Sequence, residues 1–447
     1  MLTATSSARR PRGPSLRLLL VGLLLTGLLG ACDSLDVEDP NAPSAEDVTV
    51  QSLVTGTEGA MREDIDIFYQ VVSILGREAY YFEPADPRYT GELYTGPLDP
   101  NGFLLTRHWN ARYRTIRNAT TLLGRAAELD APARAGVEAY AKTVVGYQLL
   151  LALDYLWDNG IKIEFSDDIT TPFVDREAAL TEIARYLDEA FAQLDDAGAS
   201  FAFQLSAGFD GFDTPETFKQ FNRALRARVA LYQEDYPAAL DALDDSFIDR
   251  DGDLDAGVYH VFASASGDRT NLLFEVPTSS SVKLRAHPTF RADAEAGDER
   301  FARKVFDRSD DASFNASPPA ANGLSSTLVV TLYDGSTAPI PLIRNEELLL
   351  IRAEALIAQQ RYDDAEPDLN RIRAAAGLSP VDLSAATALD RLLYERRYSL
   401  FLEGHRWVDL RRYERLDTLP LDRVGEPLRD GQIFRQMPRP LDEVPET

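Results

Sequence analysis

The feature that most constrains the fold is an internal repeat of a helix–turn–helix pattern. Segment 226–243 aligns without gaps on segment 352–369, and each begins with Arg-Ala. Identical residues recur in both copies, namely Gln233 and Gln359, Tyr236 and Tyr362, Ala239 and Ala365, and Leu243 and Leu369. In each copy a helix, a short turn and the pattern Tyr-x-x-Ala follow one another. The small alanine lets two helices approach closely, and the tyrosine and leucine fill the groove between them.

Each copy resembles the tetratricopeptide helix pair, which cannot bury its apolar face alone and therefore stacks on neighbours. Helical periodicity extends over most of the chain. The predicted helices are 55–76, 104–129, 133–158, 175–196, 215–233, 236–245, 345–360, 364–376 and 386–403. Because Pro367 lacks an N–H group, we expect its helix to begin late, with Asp364 as the N-cap and Gly377 as the stop.

The stretch 246–340 has a different composition, rich in Gly, Ser, Asp and Pro. Its short apolar runs at Leu272–Val276 and Leu328–Leu332 indicate a few short strands. The sequence therefore predicts a mostly α fold with tetratricopeptide-type helix pairs and a loop-rich insertion at about 246–340.

The N-terminus has the pattern of an export leader. Four arginines and no acidic residue precede an apolar run of about a dozen residues, Leu18–Leu29, which is too short to span a bilayer. The cut site Leu29-Gly30-Ala31-Cys32 resembles the bacterial lipobox, in which the cysteine becomes the acylated first residue. Cys32 is the only cysteine, so it has no disulfide partner after export. We predict a lipoprotein signal peptide at 1–31 and a lipid on Cys32; an ordinary signal peptide is the alternative.

The next segment, 32–50, is acidic and rich in proline, which is typical of a flexible tether to a domain at 51–447. The formal charge of the whole chain is −26, and loss of the leader with its four arginines makes it −30. Such a surface repels phosphate backbones, so nucleic acid is not expected as a partner. An acidic surface with few lysines suggests a salt-rich habitat, where ions screen self-repulsion.

The C-terminal third carries a family resemblance. The motif residues are Ile343-Arg344-Asn345-Glu346-Glu347, Leu350-Ile351-Arg352-Ala353-Glu354-Ala355, Glu395-Arg396-Arg397 and Leu402-Glu403-Gly404-His405-Arg406-Trp407-Val408-Asp409-Leu410-Arg411-Arg412. With weaker matches at Trp109, at 154–160, at 297–300 and at 437–440, the chain resembles the SusD/RagB family of outer-membrane nutrient-binding lipoproteins. The specific block covers about 341–447.

The resemblance implies a SusD-like helical fold, a lipid anchor and an outer-membrane location facing the exterior. It also implies a SusC-like TonB-dependent barrel as the partner, and an oligosaccharide, or in some members a peptide, as the ligand. The acidic residues after Cys32 are similar to the surface-export signal of such lipoproteins. The sequence leaves open which ligand is bound and how many copies the transporter complex holds.

Aromatic residues in polar loops are the candidates for ligand contact, because a sugar ring presents an apolar C–H face that stacks on them. Segment 79–94 mixes aromatic residues with Pro, Gly and acids, and the predicted ligand-binding residues are Tyr80, Tyr81, Tyr89 and Tyr94. The alternative is that these tyrosines pack their loop against the helices. A second aromatic group, Phe201, Phe203, Phe209 and Phe212, is interpreted as core or partner interface.

The sequence offers little for catalysis or metal binding. Glu403, His405 and Asp409 are too few ligands for a metal. We interpret the charged residues at the end of a helix that finishes at Gly404 as an ion-pair network, namely Glu395, Arg396, Glu403, Arg406 and Asp409. Dinucleotide and phosphate-binding loops and a Gly-x-Ser-x-Gly elbow are absent from the sequence. We therefore expect no enzyme activity, cofactor or metal site.

The leading hypothesis is a nutrient-binding lipoprotein that acts with a TonB-dependent transporter. Two alternatives remain. One is a lipid-anchored tetratricopeptide scaffold for envelope proteins. The other is a glycan hydrolase, since a pair of carboxyl groups across a sugar is easily met in so acidic a chain.

Overall fold

The computed structural model describes residues 48–165, 171–311, 322–422 and 431–444. The predicted leader, Cys32 and nearly all of the predicted tether lie outside the described residues.

The helices before the insertion are α1 Val50–Met61, α2 Ile65–Leu75, α3 Glu92–Thr95, α4 Phe103–Ala126, α5 Ala131–Leu156, α6 Arg176–Leu194, α7 Pro215–Tyr232 and α8 Tyr236–Asp244. Those that follow are α9 Pro288–Ala292, α10 Glu299–Lys304, α11 Asn345–Ala358, α12 Tyr362–Ala375, α13 Ala388–Ser399 and α14 His405–Arg412.

Successive long helices pack as antiparallel neighbours, α4 on α5, α5 on α6 and α6 on α7. Both predicted tetratricopeptide-type pairs are present, as α7 with α8 and α11 with α12. The first helix of the later pair also packs on α8, so the two pairs stack as the repeat predicts. A buried ion pair between Arg228 of α7 and Glu347 of α11, 2.6 Å apart, joins the pairs.

Helix α11 has apolar residues around its whole circumference, and Leu348, Leu349, Leu350 and Ile351 are all fully buried. A helix that is apolar on every side is contacted on every side. It is therefore an interior helix of the stack, as the sequence predicts.

The described residues also form six short strands, all of them in or next to the insertion except the first. They are β1 Ala79–Tyr81, β2 Gly257–His260, β3 Leu284–Ala286, β4 Val305–Asp307, β5 Leu328–Val330 and β6 Ile340–Arg344. One sheet has the order β1-β3-β5-β4, and β2 pairs with β6 in a second sheet. The predicted strand at 328–332 is confirmed as β5. The one predicted at Leu272–Val276 is wrong, since this run forms turns with both end residues exposed.

Three predicted helix boundaries are also wrong. The helix predicted at 55–76 is two helices, because Asp64 has a left-handed backbone, φ 50°, and interrupts the hydrogen-bond ladder. Helix α12 begins at Tyr362, before Asp364, and holds Pro367 inside it. The helix predicted to run to Gly404 ends at Ser399, and Gly404, with φ 85°, instead precedes α14.

Candidate functional site

Strand β1 and the loop after it carry the four predicted tyrosines. Tyr80 and Tyr94 are almost fully covered and lie 5.9 Å apart, measured between ring centroids. The Arg77 guanidinium lies 4.3 Å from the centre of the Tyr94 ring, and the His287 ring packs on Tyr80. Their positions support the packing alternative for these two side chains.

Tyr81 and Tyr89 form a separate pair on the other face of β1, with ring centroids 4.7 Å apart in an edge-to-face arrangement. Tyr89 is buried and also packs edge-on against Phe103, the first residue of α4. Tyr81 is half-buried, and Lys283 lies 5.9 Å from the centre of its ring. Of the four tyrosines, Tyr81 is the one that keeps substantial contact with solvent, so the proposed ligand contact rests on it.

Burial raises the pKa of Tyr81 and of Tyr89, and the Asp66 carboxylate contributes to both increases. Asp66 thus belongs to the electrostatic surroundings of this tyrosine pair. It is also in the wall of a cavity of about 370 Å³, which is in the size range of small-molecule sites. We call this the α2 cavity, because its floor includes Asp64, Ile65 and Asp66 at the start of α2.

The remaining wall of the α2 cavity comes from α4 and from the insertion. Arg107 of α4 lines it, and so do residues of the loop 262–272. Asn271 holds this loop in place: its side-chain amide donates to the Ala338 carbonyl at 2.9 Å, and its backbone N–H donates to the Ser336 carbonyl at 2.8 Å. The loop is therefore anchored to the segment that leads into β6.

Charged side chains of both signs line the α2 cavity. Arg62 donates to the Asp268 carboxylate at 2.7 Å and to the Val261 carbonyl, while Arg107 pairs with Asp64. Burial raises the pKa of Asp66, and the neighbouring Asp64 carboxylate raises it further. Asp66 has no ion-pair partner among the described residues.

Hydroxyl and apolar groups complete the lining. Ser264 and Thr270 add hydroxyl groups, and Leu272, which is 62% exposed, adds an apolar edge. Carboxylate, guanidinium and hydroxyl groups beside an apolar surface can bind a hydroxyl-rich ring: the polar groups meet its hydroxyls and the apolar surface meets its C–H face.

The sequence reasoning missed Asp66, Arg107 and the loop 262–272. Charged residues are common in this chain, which has 72 acidic residues, so residue type does not distinguish Asp66 or Arg107 as part of a site. The break between α1 and α2 at Asp64 brings the cavity residues together. The helical periodicity of 55–76 predicts one continuous helix there and gives no indication of the break.

The interpretation of Glu403 and Asp409 as members of an ion-pair network agrees with the structure, whereas Arg406 donates to the Gly76 carbonyl at 3.1 Å. Arg396 donates to Asp409 at 2.6 Å, and Arg344 binds Glu403 at 2.8 Å. Burial lowers the pKa of His405 well below its usual value, so the ring is neutral at pH 7. Across the described ranges, no cluster of acidic, histidine or cysteine side chains has the arrangement of a metal site.

The phenylalanine group at 201–212 belongs mainly to the core. Phe203 and Phe209 are buried, and Phe201 stacks on Phe203 with ring centroids 4.8 Å apart.

Within the residues described, no helix is both long enough and apolar enough to cross a membrane.

Comparison with solved structures identifies the fold. The described architecture is the SusD-like helical fold, since three solved structures match it over 88% of this chain and 95–96% of their own. The first is a SusD superfamily protein from Bacteroides vulgatus, with 14% sequence identity and a TM-score of 0.65. The second is a laminarin-binding SusD-like protein, with 16% identity and a TM-score of 0.65. The third is surface glycan-binding protein A from Bacteroides thetaiotaomicron in complex with laminarihexaose, with 14% identity and a TM-score of 0.68.

The SusD family model matches residues 327–442, which include the C-terminal motifs and α11 to α14. The matched segment and the fold both support the resemblance of this chain to the SusD/RagB family. No curated protein matches its sequence.

Proposed function

We propose that this protein is a lipid-anchored, non-enzymatic nutrient-binding protein that captures an oligosaccharide at the α2 cavity. In this proposal it is displayed on the outer surface of the outer membrane and passes its ligand to a SusC-like TonB-dependent barrel. The observation that carries the proposal is a cavity on a SusD-like fold that combines hydrogen-bonding side chains with the apolar edge of Leu272. We propose Tyr81, which shares the electrostatic surroundings of Asp66, as a further contact.

The two glycan-binding neighbours support the choice of ligand class, because one is described as laminarin-binding and the other was solved with laminarihexaose. The polar lining of the α2 cavity supports it independently. A carboxylate with no ion-pair partner, such as Asp66, can accept hydrogen bonds from two sugar hydroxyls, and such charge-assisted bonds are stronger than neutral ones.

Isothermal titration of the detergent-solubilised lipoprotein with a panel of neutral and acidic oligosaccharides, including laminarihexaose, tests the proposal. Asp66→Asn keeps the shape of the side chain but removes its charge. We expect affinity for the bound oligosaccharide to fall about tenfold, which corresponds to one charge-assisted hydrogen bond.

The matched control is Asp390→Asn, which removes an exposed carboxylate outside the α2 cavity. We expect it to leave affinity unchanged. Absence of binding to every oligosaccharide in the panel, or equal affinities of the wild type and Asp66→Asn, would contradict the proposal.

A further inference from the structure

The guanidinium of Arg269 is unusual in this molecule. In the part of the chain that the structure describes, it is the one arginine side chain without a hydrogen bond, ion pair or ring contact; only its backbone is bonded, within its own loop. The chain has 72 acidic and 46 basic residues, so carboxylates are in excess and an arginine readily finds one. Arg269 lacks such a partner although it lines the α2 cavity.

The other charges of the cavity are unequally exposed. The Arg107 side chain is 57% exposed, whereas that of its partner Asp64 is only 13% exposed. Asp268 is engaged by Arg62 and by the backbone N–H of Arg269. Asp64 is thus withdrawn and Asp268 is occupied, while the guanidiniums of Arg107 and Arg269 are exposed.

From this inequality we infer that the ligand of the α2 cavity is an acidic oligosaccharide, with a uronic-acid carboxylate that binds Arg269 and Arg107. The inference rests on the proposed function, because it specifies the class of glycan bound at the same site. A planar guanidinium offers paired N–H donors that match the two oxygens of a carboxylate, whereas a neutral hydroxyl leaves its charge uncompensated.

The net charge of the chain acts against an approaching anion, but over a longer range. With a formal charge of −26, the surface repels anions, and salt at about 0.1 M screens that repulsion beyond about 10 Å. Contacts with Arg269 and Arg107 are made at hydrogen-bond distance, where screening is weak. In a saline medium, the contacts with Arg269 and Arg107 therefore decide whether an acidic oligosaccharide is attracted or repelled.

The test uses tetragalacturonate and its fully methyl-esterified form, in which each carboxylate is replaced by a neutral methyl ester, titrated into the detergent-solubilised lipoprotein. We expect the wild type to bind the acid more tightly than the ester. Arg269→Gln should weaken binding of the acid about tenfold and change binding of the ester less than about twofold, as loss of one charge-assisted contact predicts.

Arg361→Gln is the matched control, since Arg361 is a half-exposed arginine of the α12 start, outside the cavity, paired with Asp364. We expect it to bind both ligands as the wild type does. Equal binding of acid and ester by the wild type, or an unchanged affinity of Arg269→Gln for the acid, would overturn the inference. If laminarihexaose binds and tetragalacturonate does not, the inference fails while the proposed function stands; if neither binds, nor any other oligosaccharide of the panel, both fail.

Discussion

At the scale of single residues, Glu78 shows how burial changes the properties of a charged group. It precedes β1, it is 2% exposed, and its carboxylate accepts a long hydrogen bond, 3.4 Å, from the Leu402 N–H. Burial raises the pKa of Glu78 from 4.5 to about 7, against the opposing effect of the Arg406 guanidinium. In the fold, the neutral acid is therefore the favoured form below about pH 7.

A pH dependence of stability follows from the Glu78 pKa. A raised pKa means that the folded state binds the proton more tightly, so this stabilisation is complete below pH 4.5 and is lost as the pH rises through about 7. As the pH rises from 4.5 through about 7, the wild type loses this stabilisation and Glu78→Gln, which does not titrate, keeps its own. We therefore expect the unfolding free energy of Glu78→Gln to rise by up to about 3 kcal/mol relative to that of the wild type over this range. Urea denaturation of both proteins across this pH range measures the difference; a pH-independent difference would contradict the assignment.

The residue scale also shows where sequence reasoning reaches its limit. The alternation of Tyr80 and Tyr81 along β1 places one side chain in the core and the other at the surface, but nothing in the sequence says which. Nor does the sequence reveal that Arg269 lacks a partner, because ion pairs join residues far apart in the chain, such as Arg62 and Asp268. The abundance of aromatic and charged residues predicts the kinds of contact that a ligand could make. It does not predict which of these residues lie at the candidate site.

At the scale of elements, regular periodicity was a reliable guide and irregular backbone was not. The prediction of a helix at 104–129 agrees closely with α4, because one continuous apolar stripe fixes its length. The break at Asp64 was missed, because a left-handed conformation is uncommon for a residue other than glycine and leaves no sequence signal. The C-terminal motifs indicated the fold, and the loop geometry of the cavity had to come from the structure.

Two glycines provide a matched test at this scale. Gly160, which follows α5, has φ 70°, and a Cβ atom there would lie 1.8 Å from the Val174 carbonyl oxygen. That contact cannot be relieved without moving the backbone pair between Ile161 and Val174. We expect Gly160→Ala to lower the unfolding free energy by about 2 kcal/mol or more, from backbone strain together with the steric clash.

The control is Gly124, inside α4, where an added Cβ atom meets nothing within 4 Å. Gly124→Ala should raise the unfolding free energy by about 0.5–1 kcal/mol, because alanine restricts the unfolded chain and favours helix. Chemical denaturation of both variants compares these opposite effects. A stability of Gly160→Ala equal to that of the wild type would contradict the close approach of the two segments.

At the scale of the whole molecule, the proposed function requires that one residue, Cys32, attach the binding domain to a membrane. Cys32 lies outside the described residues, and the lipid on it is a prediction from the sequence. Cys32→Ala should move the protein from the detergent-rich phase to the aqueous phase in a phase-partition experiment, because stable anchoring needs acyl chains. An unchanged detergent-phase fraction would contradict the anchor, provided that the wild-type protein partitions into detergent.

The helical pairs give the molecule a rigid stack, and the insertion places the α2 cavity beside its first helices. Because binding residues are often carried on loops that a rigid scaffold positions, we expect the stack to serve assembly and the loops to serve ligand choice. The same division would let the loop 262–272 be altered without loss of the proposed barrel partner.

The most direct test of the central claim, capture of a nutrient for a transporter, is purification of the tagged full-length lipoprotein from its own outer membrane in mild detergent. Mass spectrometry then identifies the proteins that co-purify. We predict a stoichiometric TonB-dependent β-barrel, which is retained when Asp66→Asn or Arg269→Gln weakens ligand binding. Recovery of soluble envelope proteins without a barrel would contradict it and favour a scaffold function.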